Sequence, residues 1–298
     1  MMRRSGFFLI AVLLVSLIGS TSAAQNDDPV LVGAGDIAAC SLGDDERTAD
    51  LLDHIDGTVF TAGDNVYPDG SLEQFEKCYD PSWGRHKKRT RPTLGNHDYN
   101  TKGAAGYYEY FGKRARPDGL SYYSYDLGTW HIIALNSNID ARAEGSQGEW
   151  LRNDLRTHPG KCTLVYFHHP LFVSRGEGGT VRMKQFWDVL YRYGVDVIVN
   201  GDVHYYERFM PQTPTGLPDA EHGIREFIVG TGGATLAKTI GERGLPTSEV
   251  RDNSTHGVIK LTLHEGSYSW EFIPVEGGTF HDAGSSPCVD PAHPVELF

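Results

Sequence analysis

The stretch Val30-Leu31-Val32-Gly33-Ala34-Gly35-Asp36 is an apolar run that stops on a glycine and an acid. Such a run, bounded by a turn signal, reads as a buried strand with its carboxylate presented just past the end. The arrangement recurs along the chain. Val59–Ala62 leads into Gly63-Asp64-Asn65-Val66-Tyr67, Thr163–Phe167 into His168-His169-Pro170, and Val195–Asn200 into Gly201-Asp202-Val203-His204. His131–Asn136 and Phe227–Val229 read as further strands, and Gly95-Asn96-His97-Asp98 is a fifth polar cluster. Between them, Asp44–Ile55 reads as a helix capped by Asp44 or Asp45, and Lys184–Tyr193 as another. A Ser146/Glu149 capping box opens a helix through Leu155. Two alternating runs around Glu265-Gly266, within Gly257–Val275, predict a hairpin. Gly230-Thr231-Gly232-Gly233 lacks the spacing of a dinucleotide loop and reads as a tight turn. With no repeat or linker to divide it, the chain from 27 to 298 reads as one α/β domain with mixed sheets.

The first 24 residues read separately. Arg3 and Arg4 precede an apolar run from Phe7 to Ile18, followed by Thr21-Ser22-Ala23-Ala24. That is the pattern of a secretory signal peptide over residues 1–24, and the run falls short of the roughly 20 residues that span a bilayer. The expectation is a secreted protein, extracellular or periplasmic, with no membrane association after cleavage. Of 298 residues, 27 are Lys or Arg and 39 are Asp or Glu, a formal charge of −12. So acidic a surface repels phosphodiester backbones and argues against binding a nucleic-acid scaffold. Export makes the cysteines a disulfide framework. Of the three pairings open to them, Cys40–Cys78 with Cys162–Cys288 is expected: the first would brace one edge of the clusters, the second would staple the C-terminal tail.

In open α/β sheets the functional crevice lies beyond the carboxyl ends of the strands, and the five clusters fall there. Singly, Gly-Asp is an ordinary turn dipeptide and a strand-end histidine an ordinary edge residue. Five in succession, all carrying Asp, Asn, Tyr or His and no thiolate, form a donor set suited to hard or borderline cations. The glycine before each acid is expected to let the backbone turn sharply there.

The order Gly-Asp, Gly-Asp-x-x-Tyr, Gly-Asn-His-Asp/Glu, x-x-His, Gly-x-x-His resembles the calcineurin-like metallophosphoesterases. Tyr67 and the run Val203–Arg208 resemble their purple acid phosphatase branch in particular. The resemblance covers Asp36 to Phe209 and implies a four-layer α/β/β/α sandwich, two mixed β-sheets flanked by helices. It also implies two metal ions. Asp36, Asp64, Tyr67 and His204 would hold the first, which a Tyr67 phenolate would favour as coloured Fe(III). Asp64, Asn96, His168 and Asp202 would hold the second, divalent Fe, Zn or Mn. The implied function is a secreted phosphatase acting on monoesters of small phosphorylated substrates, by in-line attack of a metal-bridging hydroxide. Neighbouring side chains diverge, so His97 is the expected donor of a proton to the leaving group, with Asp98 fixing its tautomer. By the same divergence only one of His168 and His169 is expected to ligate; the resemblance selects His168, and His169 would then face the substrate mouth.

Two positions depart from the family pattern. Ala38 stands where the first motif has Gly, and Asp202 where the last has His. An ionised Asp202 cancels one positive charge at the centre, which predicts weaker attraction for phosphate and a preference for Mn or Mg over Zn at the second site. It also opens the alternative of a weakly active or non-catalytic metal-binding relative, while Tyr67 raises that of a redox-active di-iron protein. A phosphodiesterase or nucleotide hydrolase is a further reading, if the cationic run Arg85, Lys87, Lys88, Arg89 and Arg91 faces the site. Asn253-Ser254-Thr255 is a glycosylation sequon.

Overall fold

The computed structural model describes Met2, residues 28–175 and residues 179–289. Apart from Met2, the expected signal peptide lies outside the described residues. Two sheets carry the chain. One has six strands in the order Asp282–Pro287, Ser267–Pro274, Gly257–His264, Val30–Ala34, Thr58–Thr61, Thr90–Pro92. The other has seven, in the order Ser248–Asp252, Tyr206–Phe209, Arg225–Val229, Val197–Asn200, Thr163–Tyr166, Trp130–Ala134, Tyr123–Leu127.

Side-chain alternation explains why both faces of the seven-stranded sheet are covered. Ile132, Ala134, Leu164, Tyr166, Val197 and Val199 point into the core shared with the first sheet. Their neighbours Ile133, Val165, Phe167 and Ile198 point the other way, onto Leu151, Phe186, Trp187 and Leu190 of helices Ser146–Thr157 and Lys184–Arg192. Phe60 and Tyr166 meet across the gap between sheets, ring centroids 5.3 Å apart. Helix Asp44–Asp53 contributes Ala49 and Leu52 to that same core from the six-stranded side. The four-layer sandwich is the observed architecture.

Each sheet contains a run of parallel strands, at one end of the six-stranded sheet and in the middle of the seven-stranded one. Val30–Ala34, Thr58–Thr61 and Thr90–Pro92 pair in one. Trp130–Ala134, Thr163–Tyr166, Val197–Asn200 and Arg225–Val229 pair in the other. Parallel strands deliver all their carboxyl ends to one edge, which brings the five clusters together.

Several local expectations need correction. Neither Asp44 nor Asp45 caps its helix: Gly43, at φ 76°, holds that position, and both acids sit in the first turn, where they favour the helix dipole. The Ser146/Glu149 capping box does not form, because Gly145 precedes the helix in an extended conformation and its carbonyl accepts from the Glu149 N–H. The edge strands Ser248–Asp252 and Asp282–Pro287 were not foreseen; they carry little apolar sequence and are recruited by backbone pairing. The hairpin forms as expected, Gly266 turning at φ 72°. Both expected disulfides form, with Cα atoms 5.0 Å apart for Cys40–Cys78 and 5.8 Å for Cys162–Cys288. No helix among the described residues is long and apolar enough to cross a membrane.

Candidate metal centre

Five loops at the shared edge bring the donors together. The short parallel pair Ala38–Ala39 and Val66–Tyr67 sets Tyr67 beside Asp36. Its phenol oxygen lies 2.8 Å from Asp36 Oδ1, 3.1 Å from Asp64 Oδ2 and 3.1 Å from His204 Nε2. His204 Nε2 is 3.3 Å from Asp36 Oδ1. On the other side of Asp64, His168 Nε2 lies 3.3 Å from Asp64 Oδ2, 3.1 Å from Asn96 Oδ1 and 3.6 Å from Asp202 Oδ1. Asp64 Oδ2 thus stands between two donor groups: Asp36, Tyr67 and His204 on one flank, Asn96, His168 and Asp202 on the other. Each histidine is aimed by its other nitrogen, His168 Nδ1–H on the Ala62 carbonyl and His204 Nδ1–H on the Thr235 carbonyl, both at 2.8 Å. That points Nε2 into the cluster, where its lone pair becomes available once a cation replaces the proton, the orientation that carbonyl-bonded ligating histidines adopt.

The backbone reason differs from the one expected. The acids themselves adopt the left-handed region, Asp36 at φ 59°, Asp64 at 49° and Asp202 at 72°. Of the glycines preceding the Asp and Asn donors, only Gly63 shares it, at 81°. Gly35, Gly95 and Gly201 serve close approach instead. A Cβ on Gly95 would fall 2.0 Å from Asp64 Oδ1, and one on Gly201 2.7 Å from Asp36 Oδ2. The left-handed turn at Asp202 breaks the alternation that an extended segment would give, and the side chains of Asp202 and His204 reach opposite flanks of Asp64. Ala38 is fully buried beside Val66, where its methyl is accommodated.

Charge in the protein alone reflects three carboxylates in one buried space. Burial opposes ionisation of Asp64, but the charge and hydrogen bond of His168, with help from His97, overcome it and bring the pKa to about 2. Burial pushes His204 down, yet the Asp36 carboxylate more than compensates and raises it to about 9. His168 is likewise raised, Asp64 outweighing burial. Tyr67 is pushed up by burial, then by the charges of Asp36 and Asp64. Burial, assisted by Asp36 and Asp64, raises Asp202. The cluster therefore takes up protons where positive charge is needed. Bound cations would replace those protons and ionise the phenol, so the donor set fits the two-ion centre that the resemblance implies.

The remaining expected site residues separate. His97 faces the cluster, Nε2 4.0 Å from Asp64 Oδ2, but the Pro68 carbonyl at 2.7 Å from Nδ1 sets its tautomer. Asp98 does not: it is buried and accepts from the Gly95 N–H at 2.8 Å and the Asn65 side-chain amide at 2.9 Å, holding the loops of Asp64 and Asn96 together. His169 turns Nε2 toward Asp202, 4.0 Å away. Its Nδ1 lies 2.8 Å from Ser137 Oγ and 3.4 Å from Arg182 Nη2. A guanidinium cannot accept, so Nδ1 is the acceptor and Nε2 carries the proton. Burial, then the charges of His168 and Arg182, lower His169 to about 3, which keeps it neutral.

Sequence reading missed Ser137 and Arg182, which carry no local signal. It also missed what Gly230–Gly233 does. Gly232 N–H donates to the Gly35 carbonyl at 3.0 Å and Ala234 N–H to the Asp36 carbonyl at 2.9 Å, so this turn buttresses the first donor loop. The cationic run lies elsewhere. Arg85, Lys87, Lys88 and Arg89 precede strand Thr90–Pro92, at the end opposite Asn96, and Arg91 lies within it; Arg85 pairs with Glu46, Asp50 and Asp53, Lys87 sits over Tyr110 and Arg91 over Tyr125.

Comparison with known proteins agrees with the fold. Residues 30–206 match the family model described as calcineurin-like phosphoesterase. Purple acid phosphatase 21 of Arabidopsis thaliana is 32% identical over 160 residues, covering 50% of this chain and 36% of the relative. An acid phosphatase of Aspergillus ficuum is 27% identical over 180 residues, 53% of this chain and 29% of the relative. The matches thus span about a third of these relatives' length. A purple acid phosphatase from yellow lupin (Lupinus luteus) seeds superposes with a TM-score of 0.69 at 19% identity, over 90% of this chain and 57% of that one. With the family model matched along more than half its length, and the sandwich and convergent donor loops in place, the chain belongs to the calcineurin-like phosphoesterase family.

Proposed function

We propose that the chain is a secreted, metal-dependent phosphatase that hydrolyses phosphate monoesters. The observation that carries this reading is the convergence of Asp36, Tyr67 and His204 with Asn96, His168 and Asp202 on either side of Asp64. Asp36, Asp64, Tyr67 and His204 would hold one ion, Fe(III) being favoured by the phenolate oxygen. Asp64, Asn96, His168 and Asp202 would hold the second, a divalent Fe, Zn or Mn, with Mg admitted by the added carboxylate. Two ions so placed supply Lewis acidity toward phosphoryl oxygens and acidify a water to the nucleophile that the reaction requires.

The chain's own residues supply the rest. His97 donates Nδ1–H to Pro68, which leaves Nε2 free to carry a proton to a departing alkoxide. His169, neutral and with Nε2–H aimed at the centre, is a fixed hydrogen-bond donor to a phosphoryl oxygen. Asp98 keeps both donor loops in register. Residues 1–24 would direct export, and both disulfides suit an oxidising compartment. Arg85, Lys87, Arg89 and Arg91 are engaged by partners away from the donor cluster, which gives the diester and nucleotide alternative no support.

The test is metal analysis of purified protein together with its rates on a chromogenic phosphate monoester and the matching diester. Two ions per chain and a monoester preference of tenfold or more are expected. One ion or fewer, with no turnover under any divalent supplement, would refute the reading in favour of a non-catalytic relative.

A further inference from the structure

We propose that Asn253 is a positioning residue for the first metal ion, its side-chain amide holding the segment that aims His204. The inference rests on the two-ion reading above and names what fixes one ion's donors from outside the cluster. Asn253 opens the Asn-Ser-Thr sequon, between the edge strand Ser248–Asp252 and strand Gly257–His264. It therefore belongs to none of the five donor loops.

Residues 234–237 meet the first flank of Asp64 at three points. The Thr235 carbonyl accepts from His204 Nδ1–H at 2.8 Å and so sets the direction of Nε2. Ala237 N–H donates to the His204 carbonyl at 2.7 Å, and Ala234 N–H to the Asp36 carbonyl at 2.9 Å. The two ends of the segment are held in turn from the loop that follows Asp252. The Asn253 amide donates to the Ala237 carbonyl at 2.7 Å, and His256 Nε2–H to the Ala234 carbonyl at 2.9 Å. Ala237 thus takes a bond from Asn253 on its carbonyl and gives one to His204 from its N–H.

These bonds bear on one ion. Asp36 and His204 stand on the first flank, whereas His168, on the second, is aimed by the Ala62 carbonyl instead. A binding constellation works only when its groups are held to within about 0.5 Å, and the carbonyl that orients a ligating imidazole is part of that support. Without the Asn253 amide the segment is held at its Ala234 end alone. Thr235 then shifts with the loosened Ala237 end, and the His204 ring follows it. Loss of such an outer partner lowers metal affinity by about 10–100-fold. Asn253 acts one bond further out, so about tenfold is the expected effect.

The test is a chelator titration of protein loaded with iron and then zinc, in the unaltered chain, in Asn253→Ala and in Ser124→Ala. Ser124 Oγ donates to Asp154 Oδ1 at 2.8 Å from the strand at the far edge of the seven-stranded sheet, so its variant controls for the loss of one hydrogen bond. The visible band reports the ion on Tyr67, and zinc content reports the other. In Asn253→Ala half the band should be lost at about a tenfold lower chelator concentration, while zinc retention changes by less than about twofold. Ser124→Ala should match the unaltered protein in both readouts. A band equally resistant in Asn253→Ala, equal sensitivity in Ser124→Ala, or iron and zinc lost together would overturn the positioning role and leave the two-ion reading intact. An unaltered protein that takes up no iron would overturn the Fe(III) assignment and the positioning role together.

Discussion

Replacing Gly95 with alanine tests the geometry of the centre at its most crowded point. An alanine Cβ there would stand 2.0 Å from Asp64 Oδ1 and 2.2 Å from the Asp64 backbone nitrogen. Ordinary contact needs about 3.5 Å, so either Asp64 or the Asn96 loop must shift by about 1 Å or more. The shift strikes two hydrogen bonds, Gly95 N–H to Asp98 and His97 N–H to Asp64, both 2.8 Å. Each buried bond lost costs about 1–3 kcal/mol, which for a domain of this size lowers the melting temperature by about 5–10 °C. Asp64 serves both flanks, so ion content after dialysis against stoichiometric metal should fall below two per chain. A misplacement of that size should lower kcat/KM by about a hundredfold. Circular dichroism melting, metal analysis and monoester kinetics read the three effects. Gly266→Asn is the control: its Cβ meets nothing within 4 Å, and at φ 72° asparagine is tolerated. Its stability should change by less than about 0.5 kcal/mol. Unaltered melting and full metal content in Gly95→Ala would refute the close-approach argument.

Three other outcomes are expected. Asp202→His removes a carboxylate 3.6 Å from His168 Nε2 and should tighten inhibition by inorganic phosphate about tenfold, read from competition with a monoester; unchanged inhibition would count against the charge argument. Tyr67→Phe should abolish the visible absorption of iron-loaded protein while the fold survives, as judged by circular dichroism; a retained band would place the chromophore elsewhere. His131, 1% exposed, lies between Asp126 Oδ1 at 3.0 Å and Asp154 Oδ2 at 2.8 Å, stacks on His158, and shares Asp126 with Lys161. Burial disfavours its charge, but bonds to Asp154 and Asp126 prevail and raise its pKa above 6.5. A raised histidine stabilises the fold fully below the unfolded value and loses that contribution as pH climbs through the folded one. Unfolding free energies from urea titrations should therefore fall between pH 5.5 and pH 9 by about 1–3 kcal/mol more in the native protein than in His131→Gln, and equal differences would refute the assignment.

The order of apolar runs and polar strand-end clusters determined by itself that this is an α/β chain with a metal-type donor set on one edge. Those signals are local: a strand's composition and the residues just past it are contiguous, so Asp36, Asp64, Asn96, His168 and His204 were legible before any coordinate. Edge strands such as Asp282–Pro287 were not, because pairing there satisfies backbone groups and needs no distinctive side chain. Tertiary structure alone decided the partners. It put Pro68 rather than Asp98 on His97, Ser137 and Arg182 on His169, and Gly230–Gly233 against the Asp36 loop. It also showed that the glycines make room while the aspartates take the left-handed turn. Hydrogen bonds and close contacts between distant segments depend on where parallel strands place their ends in space, and sequence spacing carries no record of that distance.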